Sequence, residues 1–344
     1  MEQSSKTLTF VVPAYNMETY LERCVESLLS ATDNSDIEVL IVDDGSSDST
    51  PELADMYERR WPGNVRAIHQ VNKGHGGAVN TGIAAASGMY VKVVDADDWV
   101  GPESLEQVMA VLRDEVGKDD PLDMLVTNYV YDKVGKRNKH VVNFRHAMEP
   151  GKRLTWDDLG HFGLTEYILM HALIYRTAVV RESKMQLPEH TFYVDFIYAY
   201  QPFPWVKSLQ YLDTPFYHYF IGRDGQSVQT DVMIRRVDQL RLVNQCMVRA
   251  TPERGTVPDG LYRYMIHFLA IESSVASVFM ILSRDHANYE KKKQLWADIK
   301  AYSPTIYADV RKKAMSRALN LHGSLGRFVI RKGYFVAEHV VGFN

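Results

Sequence analysis

Through its first 125 residues the chain alternates short β-branched runs with stretches of helical period, and no other feature narrows the fold as much. Apolar runs at 8–12, 38–43, 65–70, 90–94 and 123–127 read as strands, while 18–30, 51–60, 78–86 and 102–113 carry apolar residues three and four apart. Strand, helix, strand in succession predicts βαβ units, because a helical crossover returns the chain parallel to the strand it left. Ser49-Thr50-Pro51 fits a helix start with proline in the first turn. Further on, 141–144, 173–175 and 207–212 read as extended and 195–200 as helical. From 232 onward the pattern is helical, with segments at 232–249, 259–283, 288–302, 304–319 and 325–340.

Composition excludes several classes. Among 344 residues, 24% are charged and 46% hydrophobic, as in an ordinary globular chain and unlike a disordered or collagenous one. Two cysteines, Cys24 and Cys246, are too few for a disulfide framework or a cysteine zinc site and read as buried apolar residues. The most apolar window, 261–282, is interrupted by Arg263, His267 and Glu272, so a spanning helix is not expected. The apolar stretch 8–12 has neither a basic leader nor a small-residue cleavage site, so a cytoplasmic location is expected.

In an open parallel sheet, ligands collect beyond the carboxyl ends of the strands. Four such places here are polar. Pro13-Ala14-Tyr15-Asn16 offers a tyrosine that either stacks on a nucleobase or caps the core. The turn from Asp43 to Thr50 places aspartates either for solvent or to accept a bond from a base imide. A glycine-rich loop, 72–80, leads into a helix and allows backbone amides to approach phosphate, yet it is neither a Walker loop nor a dinucleotide fingerprint. Finally, Asp95-Ala96-Asp97-Asp98-Trp99 sets three carboxylates in four residues directly after an apolar strand. Hard oxygen ligands there suit Mg2+ or Mn2+; the competing reading is a solvated acidic turn.

Pro13-Ala14-Tyr15-Asn16, Val42-Asp43-Asp44-Gly45-Ser46, Asn80-Thr81-Gly82 and Asp95-Ala96-Asp97-Asp98, in this order and spacing, resemble the family 2 inverting glycosyltransferases of GT-A fold. The resemblance spans residues 7–225. It implies an α/β, Rossmann-like mixed sheet flanked by helices, with a nucleotide-sugar half at 1–128, an acceptor half at 129–225 and an all-helical region at 226–344. It places Pro13, Tyr15, Asp44, Lys73, Gly74, Asn80, Asp95, Ala96 and Asp97 on a nucleotide-sugar donor, usually a UDP-sugar, and Asp97 and Asp98 at a Mn2+ or Mg2+ ion. Many relatives carry arginine where this chain has Ala78, so phosphate contacts fall to Lys73 or His75.

The family also uses an acidic residue to take the proton of the attacking hydroxyl. Phe192-Tyr193-Val194-Asp195-Phe196-Ile197-Tyr198 resembles its acidic residue followed by an aromatic helix, so Asp195 is the expected base, with an N-cap as the plainer reading. An aromatic and arginine turn is expected at 216–227. Val194 stands where many relatives have glutamate, which leaves Glu189 as a second candidate. Trp99, His171, Glu189 and His190 are the acceptor-side candidates. The implied function is transfer of a sugar to a glycan or lipid-linked glycan in cell-surface polysaccharide synthesis. Its competitors are a non-catalytic sugar-nucleotide binding or assembly protein and a sugar nucleotidyltransferase, whose glycine-rich signature is missing after the first strand. A homo-oligomer is left open.

Net charge is −4, but from Asp285 onward eleven basic residues face five acidic ones. Between 310 and 332, Val310, Ala314, Ala318, Leu321, Leu325 and Phe328 recur at helical spacing among Arg311, Lys312, Lys313, Arg317, Arg327, Arg331 and Lys332. Two readings stand: a basic amphipathic surface docking on an anionic inner leaflet, or a tail packed on the protein or a second subunit. Nucleic acid binding is not expected, given the negative overall charge and the absence of a recognition motif.

Overall fold

A computed structural model describes residues 6–133, 139–222, 229–320, 326–328, 330–332 and 334. It divides into two compact units, Met1–Gly160 with Ile168–Ile221, and His161–Tyr167 with Gly222–Asn344.

The first unit runs β1 (Leu8–Ala14), α1 (Leu21–Leu28), β2 (Ile37–Asp43), α2 (Thr50–Arg60), β3 (Val65–His69), α3 (Gly74–Ala85), β4 (Tyr90–Val93), β5 (Trp99–Val100), α4 (Pro102–Glu115) and β6 (Met124–Lys133). It continues through β7 (His140–Val142), β8 (Arg153–Leu154), β9 (Leu173–Arg176), α5 (Thr177–Glu182), α6 (Asp195–Tyr200) and β10 (Leu209–Ile221). β1 and β2 are buried along their whole length, as central strands covered on both faces must be. Proline opens α2 and α4, where its missing N–H has no intrahelical partner to lose.

The main path of the sheet is β3-β2-β1-β4-β9-β6-β10-β5. β1 to β4 are mutually parallel, as the βαβ pattern requires. β9 departs from it, running antiparallel to both β4 and β6. Its end is pinned by Arg176, which donates to Asp123 at 2.6 and 3.0 Å, and by the Thr177 hydroxyl, which donates to the Gly88 carbonyl at 2.6 Å. Three apolar residues, 173–175, carry no record of their partner strand, so in sequence they read only as extended. The aromatic turn expected at 216–219 is corrected. These residues continue β10, whose register against β6 shifts on either side of Pro215, a residue with no ladder N–H to give. The remainder of that turn, 223–227, lies outside the described residues.

The second unit contains α7 (Thr230–Arg235), α8 (Val237–Ala250), α9 (Asp259–Leu282), α10 (His286–Tyr302), α11 (Pro304–Lys312) and α12 (Ala314–Leu319). Asp285 caps α10 by accepting from the Ala287 N–H at 2.9 Å, and Ser303 caps α11 through the Ile306 N–H at 3.2 Å. By length and composition α9 could cross a membrane, contrary to the sequence expectation, yet 78% of its apolar window is buried in the protein. Glu272, Ser273, Ser274 and Ser277 in its second half are buried. Asn244 donates to Glu272 at 2.5 Å and to Ser273 at 2.8 Å, and the Trp296 indole N–H donates to Ser277 at 3.1 Å.

The stretch 304–319 is not one helix but two, broken at the extended Lys313. The break changes the helical phase. Ile306, Val310 and Leu319 are buried while Ala314 and Ala318 are exposed, so the continuous amphipathic stripe anticipated over 310–332 does not form among the described residues. Leu321, Leu325 and most of the 325–340 segment lie outside them. Cys24 is buried as expected; Cys246 is only half-buried.

Candidate active site

The carboxyl ends of the parallel strands β1, β2, β3 and β4 lead into four loops. Pro13 is itself part of β1, paired to Val42, whereas Tyr15 stands 48% exposed just beyond the strand. Asn16 takes a left-handed conformation (φ +53°), which asparagine tolerates. From there its carbonyl Oδ1 accepts from the Ser47 N–H at 2.8 Å, tying the loop after β1 to the loop after β2. Asp44 is buried, and its Oδ1 accepts from the Gln70 side chain at 2.7 Å and from the Lys73 N–H at 2.8 Å. It therefore shapes the turn that carries Lys73, whose ammonium lies 4.0 Å from Glu189.

The glycine-rich stretch seats a second loop. Gly74 has φ +73°, and a Cβ there would fall 2.8 Å from the His190 N and Cα; one at Gly76 would fall 2.5 Å from the Pro188 carbonyl oxygen. Asn80 completes the seat, donating to the Leu187 carbonyl at 2.8 Å and accepting from its N–H at 3.0 Å. These residues, expected on the donor, thus hold segment 187–190 and bring the exposed Glu189 and His190 beside Lys73. His75, in the first turn of α3, points at the acidic motif with Nε2 2.7 Å from Asp95 Oδ1. Burial opposes charge on this imidazole, but Asp95, with Asp195 and Asp97 behind it, outweighs that and raises its pKa.

Beyond β4 the three carboxylates have different surroundings. Asp98 is fully buried, accepting from the Tyr217 hydroxyl at 2.5 Å and from the Phe220 N–H at 2.8 Å. Burial, then Asp97 and Asp95, drives its pKa well up. Asp95 donates its backbone N–H to the same Tyr217 oxygen at 3.2 Å. Asp97 is buried too, and Arg23 donates to its carbonyl at 2.7 Å. Ala96 between them is buried.

His171, an acceptor-side candidate, stands with this group. It is 6% exposed, its Nδ1 has no hydrogen-bond partner, and one ligand atom each of Asp95, Asp98 and His171 lies within 4.8 Å of the others. Burial pushes its imidazole down to about 4, so it is a neutral nitrogen donor. Two carboxylates and an orphaned imidazole nitrogen are a donor set that a divalent cation fits. Asp97 is not among the three that converge. Trp99, an acceptor-side candidate, is engaged within the protein: Arg23 lies 3.9 Å over its ring and His218 stacks on it at 5.2 Å.

Lys92 was not anticipated. It is fully buried in β4 and donates to the carbonyls of Met170, His171 and Leu173 at 3.0, 2.8 and 3.1 Å. It therefore holds the backbone from which His171 projects. Burial pushes its ammonium down to about 7 against the pull of Asp95 and Asp98. The sequence signal was there: a lone charge inside the apolar run Tyr90-Val91-Lys92-Val93.

Asp195 opens α6. Burial, reinforced by Asp95 and opposed by His75, raises its carboxyl to about 6. Just before it, His190 (φ +50°) and Tyr193 (φ +66°) hold left-handed conformations that bulky residues rarely adopt, a concentration of strain typical of functional loops.

Comparison with known proteins agrees with this architecture. Residues 9–176 match the model of glycosyl transferase family 2. EpsH of Bacillus subtilis (strain 168), classed as a glycosyltransferase, is 29% identical over 225 residues, covering 62% of this chain and 60% of EpsH. The chain thus spans less than two thirds of that relative's length. Staphylococcus aureus TarS in complex with UDP-GlcNAc superposes with a TM-score of 0.65 at 19% identity, over 95% of this chain and 92% of TarS. The mannosyltransferase PcManGT of Pyrobaculum calidifontis, in complex with GDP-Man and Mn2+, gives 0.53 at 15% identity, over 95% and 87%. With the ordered strand-end motifs and the fold it shares with these neighbours, the chain has the GT-A fold, and its residues 9–176 are those of glycosyl transferase family 2.

Proposed function

We propose that this chain is a metal-dependent inverting glycosyltransferase that moves a sugar from a nucleotide diphosphate, a UDP-sugar before others, to a hydroxyl of a glycan or lipid-linked glycan in cell-surface polysaccharide synthesis. The observation that carries the reading is Asp195, a carboxyl raised to about 6 and electrostatically coupled to Asp95 and His75. A base with a pKa just below neutrality is ionised at pH 7 and still basic enough to accept a hydroxyl proton. The deprotonated oxygen attacks the anomeric carbon from the face opposite the nucleotide, so an α-linked donor gives a β-linked product.

Around that step Tyr15 offers a ring to the base, and Asp44 and Gln70 shape the turn in which Lys73 meets the donor phosphates. Asp95, Asp98 and His171 would hold the cation, with Asp97 as the alternative carboxylate. When bound, it supplies positive charge to neutralise the departing diphosphate. An imidazole nitrogen in the set favours Mn2+ over Mg2+, and the Mn2+ bound by PcManGT supports the same choice. The UDP-GlcNAc bound by TarS supports a UDP-sugar. We place the reaction in the cytoplasm, peripheral to the inner membrane face, where exposed Lys312 and Arg317 favour anionic lipid.

The test is calorimetry with UDP, GDP, CDP and dTDP, each with and without Mn2+, followed by a transfer assay with sugars of the nucleotide that binds. One nucleotide binding only with Mn2+, and its sugar being transferred with inversion, supports the reading. Binding without transfer or donor hydrolysis would point to a non-catalytic partner instead.

A further inference from the structure

We propose that the helical unit carries a separate binding pocket for a phosphate ester, at the start of α9 and the end of α11. It uses none of the donor-site residues and does not rest on the transferase reading. A cavity of about 430 Å³ opens there, with Arg254, Arg263, Lys312 and Lys313 in its wall against two carboxylates, Asp259 and Asp309.

The charges are not balanced pairwise. Asp309, 8% exposed, accepts from Arg254, from the Tyr262 hydroxyl at 2.9 Å and from Lys312 at 3.1 Å. Burial works against its ionisation, but these donors hold its carboxyl below the ordinary range. One carboxylate is thus shared by two cations. Arg263 and Lys313 make no ion pair among the described residues, although Lys313 is partly buried. Burial lowers the Lys313 pKa, Asp309 opposes that, and Arg263 adds to it. An anion between Arg263 and Lys313 would remove their repulsion and replace the water Lys313 has lost.

Phosphate suits this pair. A guanidinium fork engages two phosphate oxygens in parallel while an ammonium supplies a point charge. The size of the cavity, within the range of small-ligand sites, argues for an organic ester over a bare ion. Buried Tyr262 and Ile266 give its carbon skeleton an apolar wall.

The test uses the full chain and Arg263→Gln, Lys313→Gln and the double variant. Calorimetry at low salt compares glycerophosphoglycerol with inorganic phosphate, and co-sedimentation compares phosphatidylcholine vesicles with and without phosphatidylglycerol. The expected result is binding of the soluble ester tighter than inorganic phosphate, weakened about tenfold by each substitution and abolished by both. Binding only to phosphatidylglycerol vesicles, lost in the double variant, supports the pocket with a lipid headgroup as source. Arg263 is exposed, so Arg263→Gln leaves the packing intact even where Lys313→Gln unfolds the unit. No binding by the wild type in either arm, or undiminished binding by Arg263→Gln, overturns the proposal.

Discussion

Replacing Asp195 by asparagine tests the assignment of the base and has two consequences of opposite sign. Asparagine keeps the shape and cannot accept the hydroxyl proton, so kcat/KM for transfer should fall by about 10² to 10⁴, with nucleotide affinity nearly unchanged. The carboxyl rises from 3.8 to about 6 on folding. At about 1.4 kcal/mol per pKa unit, keeping it ionised in the folded state costs on the order of 3 kcal/mol at neutral pH. The folded protein holds this proton more tightly than the unfolded chain. This group's contribution to stability therefore declines as pH rises from about 4 to about 6, and asparagine removes the decline. Asp195→Asn should be a poorer enzyme and a more stable protein, by about 1 to 3 kcal/mol at pH 7. Activity of the wild type follows the ionised form and should be lost as pH falls through about 6. Urea denaturation at pH 4.5 and 7, with transfer rates over the same range, measures both. Retention of transfer within tenfold, or an unchanged acidic limb in the variant, would refute the assignment.

A Mn2+-dependent rise in thermal midpoint is expected with UDP; His171→Ala should remove it, whereas Asp97→Ala should keep part of it, and the opposite ranking would return the metal to Asp97. Lys92→Met leaves three buried carbonyls without their donor and should cost about 3 kcal/mol or more in urea denaturation. A midpoint within experimental error of wild type would mean that the 170–173 backbone does not depend on it. Gly74→Ala drives a methyl into the His190 backbone at a positive φ. It should cost about 1 to 3 kcal/mol and lower kcat by displacing the loop that leads to Asp195, while Gly63→Ala, with open space around its Cβ, should leave kcat alone. Glu272, raised by burial to about 8, destabilises the helical unit progressively as pH rises from about 4.5 to 8, so Glu272→Gln should flatten that slope.

The parts of the site legible in sequence were those written locally. Three carboxylates in four residues after an apolar strand, and an aspartate opening an aromatic helix, announce themselves because their neighbours in sequence are also their neighbours in space. Lys73, Gly74 and Asn80 were legible as a group but their roles were not, since the segment they grip begins more than a hundred residues later at Leu187. His171 was legible as a candidate but not its place beside Asp95 and Asp98, and Lys92 escaped, for the same reason. Nothing near His171 in sequence distinguishes a buried ligand nitrogen from a satisfied core histidine, and the lone charge in the apolar run 90–93 marks Lys92 without naming the carbonyls it holds about eighty residues on.

What the sequence by itself determined is the alternation that makes a parallel sheet, the order of its strand-end motifs, and the helical character of the last third. These follow from local backbone preference and apolar period, which each segment carries alone. Only the tertiary structure decided that β9 enters antiparallel between β4 and β6, that Tyr217 and Phe220 close over Asp98, and that Asp95, Asp98 and His171 meet. Such contacts join residues up to 122 apart in the chain. Their pKa shifts and ligand geometry arise from the dielectric and the neighbours created when distant segments exclude water together, a property that no single segment possesses before the chain closes.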